Sequence, residues 1–441
     1  MLVAAIACVA FALRDDEPAA ATAPDSRSAH TPLLSARRAP FVFDPARARV
    51  HLEEELTAFV TQQNACVAVA DPATPETPIV RVNADAPLAP ASTMKLLTGA
   101  AALSVLGPEH RFTTSARVGD DGTLYFVGGG DPVLTTPNYE RQLRAAAGTA
   151  TDVVTPLAPL ADAIVASGIS SIPRIVADDS RHDDVRFLAD WKPGYTEDVG
   201  ALGALTVNDG YAGPTRADDP AANAAEQLRI MLTERGVAVG DIGEGTAPAD
   251  ASEVASVSSS PLADIVASMI TSSDNLSAEL LAREIGIAAG GDGTTAAGTQ
   301  AMLAALTEAG VLTNGLDLRD GSGLAPDNRV TCDAVLATLA LASDPRFEAL
   351  DRGLAIAGST GTLARRLVGD PLQGVLRAKT AQIDDVTGLA GVVDDAEHLR
   401  FAFVANDDFS AAAGRALGDQ VARLVAAYPE LPSGASPVPT P

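Results

Sequence analysis

Apolar positions take on regular spacing from about Phe41 onward. Arg47 to Thr61 has helical spacing and leads into an apolar run, Ala65 to Ala70, that predicts a strand. Thr74 to Pro78 predicts a turn, and Ile79 to Val82 a second strand, together a hairpin. Prolines then stop before Ser92, and Ala- and Leu-rich sequence runs on to Leu106, so a loop ends at a helix start. Arg117 to about Asp219 differs in character. Short strands such as Leu124 to Val127 and Ile169 to Ala177 are broken there by Pro and Gly, which predicts an inserted domain. The run Gly128-Gly129-Gly130-Asp131-Pro132 lacks the Lys and Ser/Thr of a phosphate loop and is expected to be a turn. Helical spacing returns at Pro220 to Arg235. It continues in a helix through Leu262, Ile265, Val266, Met269 and Ile270, in a second after Asn275, and in a third from Ala297 to Ala309. Val375 to Ala381, Gly388 to Val393 and Leu399 to Val404 predict the last antiparallel strands, with a polar turn at Asp394 to Glu397.

The ends read differently. Residues 2–13 form one apolar run, too short at roughly 20 residues per bilayer to span a membrane but suited to an export signal. Small residues at Ala19 to Ala23 offer a cleavage point, and Cys8 after Ala7 is a weaker hint of a lipid anchor. No Lys or Arg precedes the run, so the natural segment is expected to start further upstream. The expected organisation is a signal or anchor with a disordered tether (1–40), the first part of a catalytic domain (41–116), an inserted domain (117–219), the second part of the catalytic domain (220–430) and a flexible tail (431–441).

Composition narrows the function. The 441 residues are 47% hydrophobic, enough for a large core. With 31 Lys and Arg against 57 Asp and Glu, the net charge of −26 repels phosphate backbones and argues against nucleic acid as a partner. Cys8, Cys66 and Cys332 have neither metal-site nor redox-motif spacing, and the five His show no ligand spacing; no metal or cofactor is expected. Cys66 and Cys332 can pair in an oxidising compartment, but two buried free thiols are the plainer expectation.

Lysine usage points to chemistry. Only Lys95, Lys192 and Lys379 stand among the 31 basic residues. A buried Lys can lose its proton, whereas Arg in effect cannot. Lys95 follows Ser92 by three positions at a helix start, on the same face, where a free amine can activate the hydroxyl. Ser273 and Asn275 on a loop between helices can both face a cleft, the hydroxyl relaying a proton and the amide holding Lys95 and a substrate carbonyl. Lys379 and Thr380 on an edge strand can hold a terminal carboxylate while the backbone pairs with an extended peptide. Taken singly, these are a surface lysine, a helix cap and an ordinary strand pair. Together and in this order they form the SxxK, SDN and KT trio of penicillin-binding proteins and class A β-lactamases.

Over roughly residues 45–425 the chain resembles the low-molecular-mass class C penicillin-binding proteins, the penicillin-binding protein 4 type of D-alanyl-D-alanine carboxypeptidase/endopeptidase. The likeness extends to Pro90 through Lys95, Val127 through Pro132, Asp320 through Leu324, Asp327 through Thr331, and Gly361 through Leu363. It implies an α+β fold: a penicillin-binding-protein/β-lactamase-like transpeptidase domain, with an antiparallel sheet flanked by helices, carrying an inserted β-rich domain. It implies that Ser92 is the nucleophile and Lys95 the general base. Ser273 relays the proton to the leaving D-alanine, and Asn275 orients Lys95 and substrate. Lys379 and Thr380 bind the carboxylate, and backbone N–H groups of Ser92 and Gln382 form the oxyanion hole. The implied partners are peptidoglycan stem peptides ending in D-Ala-D-Ala, with β-lactam antibiotics as inhibitors. The implied location is extracytoplasmic, with the N-terminus as a membrane tether.

One residue departs from the pattern. Ala381 stands where the family has Gly after Lys-Thr, and its Cβ is expected to crowd the cleft or tilt the strand, weakening activity. Two other readings remain open at this point. One is another SxxK hydrolase, a β-lactamase or an esterase, although no ExxLN-like segment lies between Lys95 and Ser273. The other is a non-catalytic cell-wall scaffold.

Overall fold

The computed structural model describes residues 44–73, 78–147, 153–395 and 398–430. The expected signal and tether (1–40) and the tail (431–441) lie outside them, as do residues 74–77 and 396–397 of the two expected turns.

In chain order, α1 (Asp44–Val60) precedes β1 (Ala65–Ala70) and β2 (Val80–Val82), and a 3-10 turn at Ala91–Thr93 opens α2 (Met94–Val105). Then come β3 (Thr113–Val118), β4 (Leu124–Val127), β5 (Leu134–Thr135), α3 (Pro137–Ala147), β6 (Thr155–Pro156), α4 (Ala158–Ala166) and β7 (Ser171–Asp178). A short helix α5 (Thr196–Val199) and the small pair β8 (Tyr211–Ala212) and β9 (Thr215–Arg216) lead to α6 (Pro220–Glu234), β10 (Ala238–Glu244) and β11 (Ser252–Ser258). Five helices follow: α7 (Leu262–Ser272), α8 (Asn275–Ala288), α9 (Thr295–Glu308), α10 (Cys332–Ala340) and α11 (Glu348–Arg352). The chain ends with β12 (Ala355–Ile356), β13 (Leu376–Ile383), β14 (Val386–Val393), β15 (Leu399–Asn406) and α12 (Ala411–Ala426).

The six-stranded sheet has the order β12-β13-β14-β15-β1-β2, antiparallel throughout. It is covered on both faces, which explains why β1 reads as an unbroken apolar run rather than an alternation. Cys66, Ala68 and Ala70 pack with Leu96 and Leu97 of α2 and Ile265 of α7. Val67 and Val69 point the other way, onto Leu52 and Leu56 of α1 and Val421 of α12. Each fully buried Leu or Val here contributes about 1.5–3 kcal/mol of transfer free energy.

A second sheet has the order β10-β7-β4-β3-β11, with β7 parallel to both its neighbours. Its core takes Leu160 and Ile164 from α4 and Leu228 and Leu232 from α6. Its strands run from Thr113 to Ser258, so β10 and β11 lie beyond Asp219. The triple glycine ties this sheet to the helices. A Cβ on Gly129 would sit 1.9 Å from the Thr113 carbonyl oxygen, and one on Gly130 would sit 2.0 Å from Glu284 Oε1 on α8. Close approach, not phosphate binding, accounts for these glycines.

Cys66 and Cys332 are not free thiols; they form a disulfide between β1 and the first residue of α10. The expectation of free thiols failed because nothing in a separation of 266 residues reports spatial proximity. Closing so long a loop is worth up to about 5 kcal/mol on the chain-entropy view. Among the described residues, no helix is long and apolar enough to cross a membrane.

Candidate active site

Ser92 sits in the middle of the 3-10 turn that starts α2, and Ala91 before it has a left-handed backbone (φ 43°). The turn is braced by the Asp320–Ala325 loop. Gly323 there (φ 88°) approaches so closely that a Cβ would lie 1.9 Å from the Ala91 carbonyl oxygen. Lys95, one turn on from Ser92, is fully buried. Its Nζ donates to Ser92 Oγ at 2.9 Å, to Asn275 Oδ1 at 2.7 Å and to the Ser322 carbonyl at 2.8 Å. An ammonium has three donors, and all three are used.

The Ser273–Asn275 loop is shaped by its own helix ends. Ser273 closes α7 in a left-handed conformation (φ 64°), and Asp274 caps α8 by accepting the Ser277 N–H at 3.2 Å. Capping therefore falls to Asp274, which leaves Ser273 and Asn275 for the cleft. Ser273 Oγ accepts from Lys379 Nζ at 2.8 Å, and Asn275 Nδ2 donates to the Asp198 carbonyl at 3.0 Å.

On the other wall, β13 is covered on its outer side only at Arg377 and Ala378, by β12. The remaining edge, from Lys379 to Ile383, has no strand beside it among the described residues. Lys379 is fully buried, and its Nζ also donates to the Thr380 carbonyl at 2.7 Å. The Thr380 and Thr362 hydroxyls lie 2.8 Å apart, and the Gln382 side chain is turned back to the Val386 carbonyl at 3.1 Å. Ala381 does not crowd the cleft as expected. It is 4% exposed and packs against Ala89, Ala91 and Val386, opposite Gly388 in the ladder. A Cβ on Gly388 would meet that of Ala381 at 3.2 Å. The methyl group is accommodated because its partner on β14 has none.

Burial governs the electrostatics. Desolvation lowers Lys95 to about 8, against the opposing pull of Asp320, Glu279 and Asp274. Lys379 is driven well below the usual lysine range, by burial first and by Lys95 second. Beneath Lys95 lie two buried carboxyl groups. Asp320 Oδ1 accepts from Gly323 N and Asn328 Nδ2, and its Oδ2 accepts from Ala325 N and Trp191 Nε1. Glu279 Oε1 accepts from Gly321 N at 3.1 Å and Ser322 N at 2.7 Å. Burial and the charge of Asp320 raise Glu279 to about 8.

Ser92, Ser273, Asn275 and Gln382 line one open cleft of about 810 Å3, with Lys95 and Lys379 buried behind its two serines. Six of the seven residues singled out in the sequence thus come together, and the seventh, Thr380, follows Lys379 on β13 with its hydroxyl bonded to that of Thr362. Such a site can activate a hydroxyl, hold a carboxylate and relay a proton between two amine–hydroxyl pairs. Sequence reasoning missed the Ser322 and Asp198 carbonyls and Glu279. Backbone acceptors leave no trace in residue identity, but Glu279 lies four positions after Asn275 on one helix face, a spacing that could have flagged it. Lys192 also lines the cleft, paired with Asp384 at 3.2 Å across its exposed rim.

Comparison with known proteins fits this geometry. The family model for D-Ala-D-Ala carboxypeptidase 3 (S13) matches residues 50–215 and 203–428. The D-alanyl-D-alanine carboxypeptidase of Actinomadura sp. (strain R39) is 31% identical over 443 residues, covering 79% of each chain. Carboxypeptidase DacB of Mycolicibacterium smegmatis is 32% identical, over 73% of this chain and 72% of the relative. Among solved structures, penicillin binding protein 4 (dacB) from Haemophilus influenzae superposes with a TM-score of 0.68 at 20% identity, over 83% of this chain and 98% of that one. A further structure of the Haemophilus protein holds a β-lactam. At this identity the structural likeness establishes the fold, which is that of penicillin binding protein 4.

Proposed function

The chain belongs to the D-Ala-D-Ala carboxypeptidase 3 (S13) family, and from that premise we propose that it cleaves peptidoglycan stem peptides through an acyl-enzyme on Ser92. Its activity is that of a serine D-alanyl-D-alanine carboxypeptidase. The observation that carries the assignment of residues is the 2.9 Å contact between Ser92 Oγ and a Lys95 amine lowered to about 8.

Lys95 in its free-amine form accepts the Ser92 proton, and Ser92 Oγ attacks the carbonyl between the two D-alanines. Backbone N–H groups of Ser92 and Gln382 stabilise the oxyanion. Lys379 and Thr380 hold the terminal carboxylate, whose charge favours the ammonium form of Lys379. The proton passes through Ser273 to the leaving amine, the C–N bond breaks, and D-alanine departs. Water then hydrolyses the ester, returning the proton to Ser92. Asn275 fixes Lys95 and meets the substrate amide. A β-lactam, as a mimic of D-Ala-D-Ala, acylates the same oxygen and clears slowly. The substrate lies outside the cytoplasmic membrane, and the Cys66–Cys332 disulfide suits that oxidising side.

The test is intact-protein mass spectrometry after exposure to benzylpenicillin, with the adduct mapped by digestion. One drug mass on Ser92 is expected, and none on a Ser92→Ala variant. An unmodified chain that is demonstrably folded would overturn the acyl-enzyme reading.

A further inference from the structure

Glu279 is a buried ionisable group that the reaction above does not use. It is fully buried on α8, one turn beyond Asn275. Through Oε1 it takes both N–H groups of the Gly321–Ser322 segment. The carbonyls of the same two residues face the nucleophile helix. Gly321 accepts from Thr98 Oγ1 at 2.6 Å, and Ser322 accepts from Lys95 Nζ at 2.8 Å. Glu279 therefore sets the height of the carbonyl on which the base rests.

The hydrogen-bond inventory also locates a proton. Asp320 receives four donors, two on each oxygen, as an ionised carboxylate does. Glu279 Oε2 is buried and makes no well-formed hydrogen bond among the described residues, although the Ser322 hydroxyl interacts with the carboxyl group and favours its charged form. A bare, buried carboxylate oxygen is costly, whereas a protonated one costs far less.

We propose that Glu279 is a positioning residue of acylation that carries a proton on Oε2, fixing the Ser322 carbonyl beneath Lys95 without placing a second full negative charge there. The proposal rests on the acylation reading above. The charged groups around it are Lys95 on α2, Asp320 on the loop, Arg283 further along α8 (itself paired with Asp183), and Asp274, which acts on Lys95 from the cap; Lys95 in turn acts on Lys379 of β13. Burial raises Glu279 to the same region, about 8, in which Lys95 titrates. An ionised Glu279 strengthens the hold of Lys95 on its proton, so neutrality at Glu279 favours the free amine.

The experiment is the pH dependence of benzylpenicillin acylation in the full chain, for wild type, Glu279→Gln and Glu279→Ala. Gln keeps the Oε1 acceptor and is always neutral. Its plateau rate is expected to stay within about 3-fold of wild type and its acid limb to stay within about half a pH unit, because one neutral group replaces another. Glu279→Ala loses the clamp and is expected to acylate about 10- to 100-fold more slowly at every pH. A Gln variant whose acid limb moves to lower pH by about a full unit or more overturns the proton assignment, because wild-type Glu279 would then be ionised while Lys95 titrates. A Gln variant as slow as Ala overturns it too, because an ionised carboxylate would then be required. A wild-type chain that forms no adduct sinks the acylation reading itself, and mass spectrometry distinguishes that failure from the other two.

Discussion

The helix wall and the strand wall of the cleft each bury a lysine completely and end it on a serine hydroxyl, yet the two environments are opposite. Lys95 lies over the Asp320 carboxylate, with Asp274 nearby, so burial is partly offset and the amine titrates near 8. Among the described residues no carboxylate offsets the burial of Lys379, to which the repulsion of Lys95 adds, and the amine is lowered well below the usual lysine range. A general base must be able to hold and lose a proton near working pH. A carboxylate receptor can wait for its counter-charge to arrive with the substrate. The helix wall thus brings its own negative charge, and the strand wall borrows it.

Three substitutions break or sharpen that contrast. The largest effect is expected from Lys95→Met, which keeps the bulk and removes the base. Acylation by benzylpenicillin, followed by stopped-flow fluorescence or quenched mass spectrometry, should slow by about 10^3- to 10^4-fold. A loss under tenfold would mean that another group takes the Ser92 proton. Lys379→Ala should cost about 100-fold in kcat/KM on a D-Ala-D-Ala peptide, and much less on the same peptide with its C-terminus amidated. Equal losses on both substrates would remove the carboxylate role from the strand wall. The smallest effect is expected from Ala381→Gly. Its methyl group is housed opposite Gly388, so acylation should stay within about 3-fold. Thermal unfolding should reveal a loss of roughly 0.5–1 kcal/mol from the added strand flexibility. A large gain in acylation would restore the view that Ala381 crowds the cleft.

The sequence made the side-chain chemistry legible and left the supporting backbone hidden. Ser92 and Lys95 could be read because a helix turn fixes which residues face each other, and Lys379 because lysine is so scarce in this chain. Ala65–Ala70 and Leu124–Val127 are strands over the residues their apolar pattern marks. β10 and β11 escaped the reading because both are polar and largely exposed, so neither alternation nor an apolar run announces them. The helix α12 was missed although its signal was present: Leu417, Val421, Leu424 and Val425 recur at helical spacing and pack on the sheet. The position of Ala381 was misjudged because the outcome depended on which residue stood across the ladder, a fact of register rather than of local sequence.

The bridge from Cys66 to Cys332 makes a closed ring of chain that includes Ser92, Lys95, Ser273 and Asn275, while Lys379 lies beyond it. A single peptide bond cut anywhere inside that ring yields two pieces that are still one covalent molecule. The piece bearing Ser92 stays attached to the piece bearing Lys379, and the sheet that separates them in sequence can be nicked without freeing either. In surroundings that hold proteases and no reductant, this wiring turns the surface loops of the second sheet into places where damage is survivable.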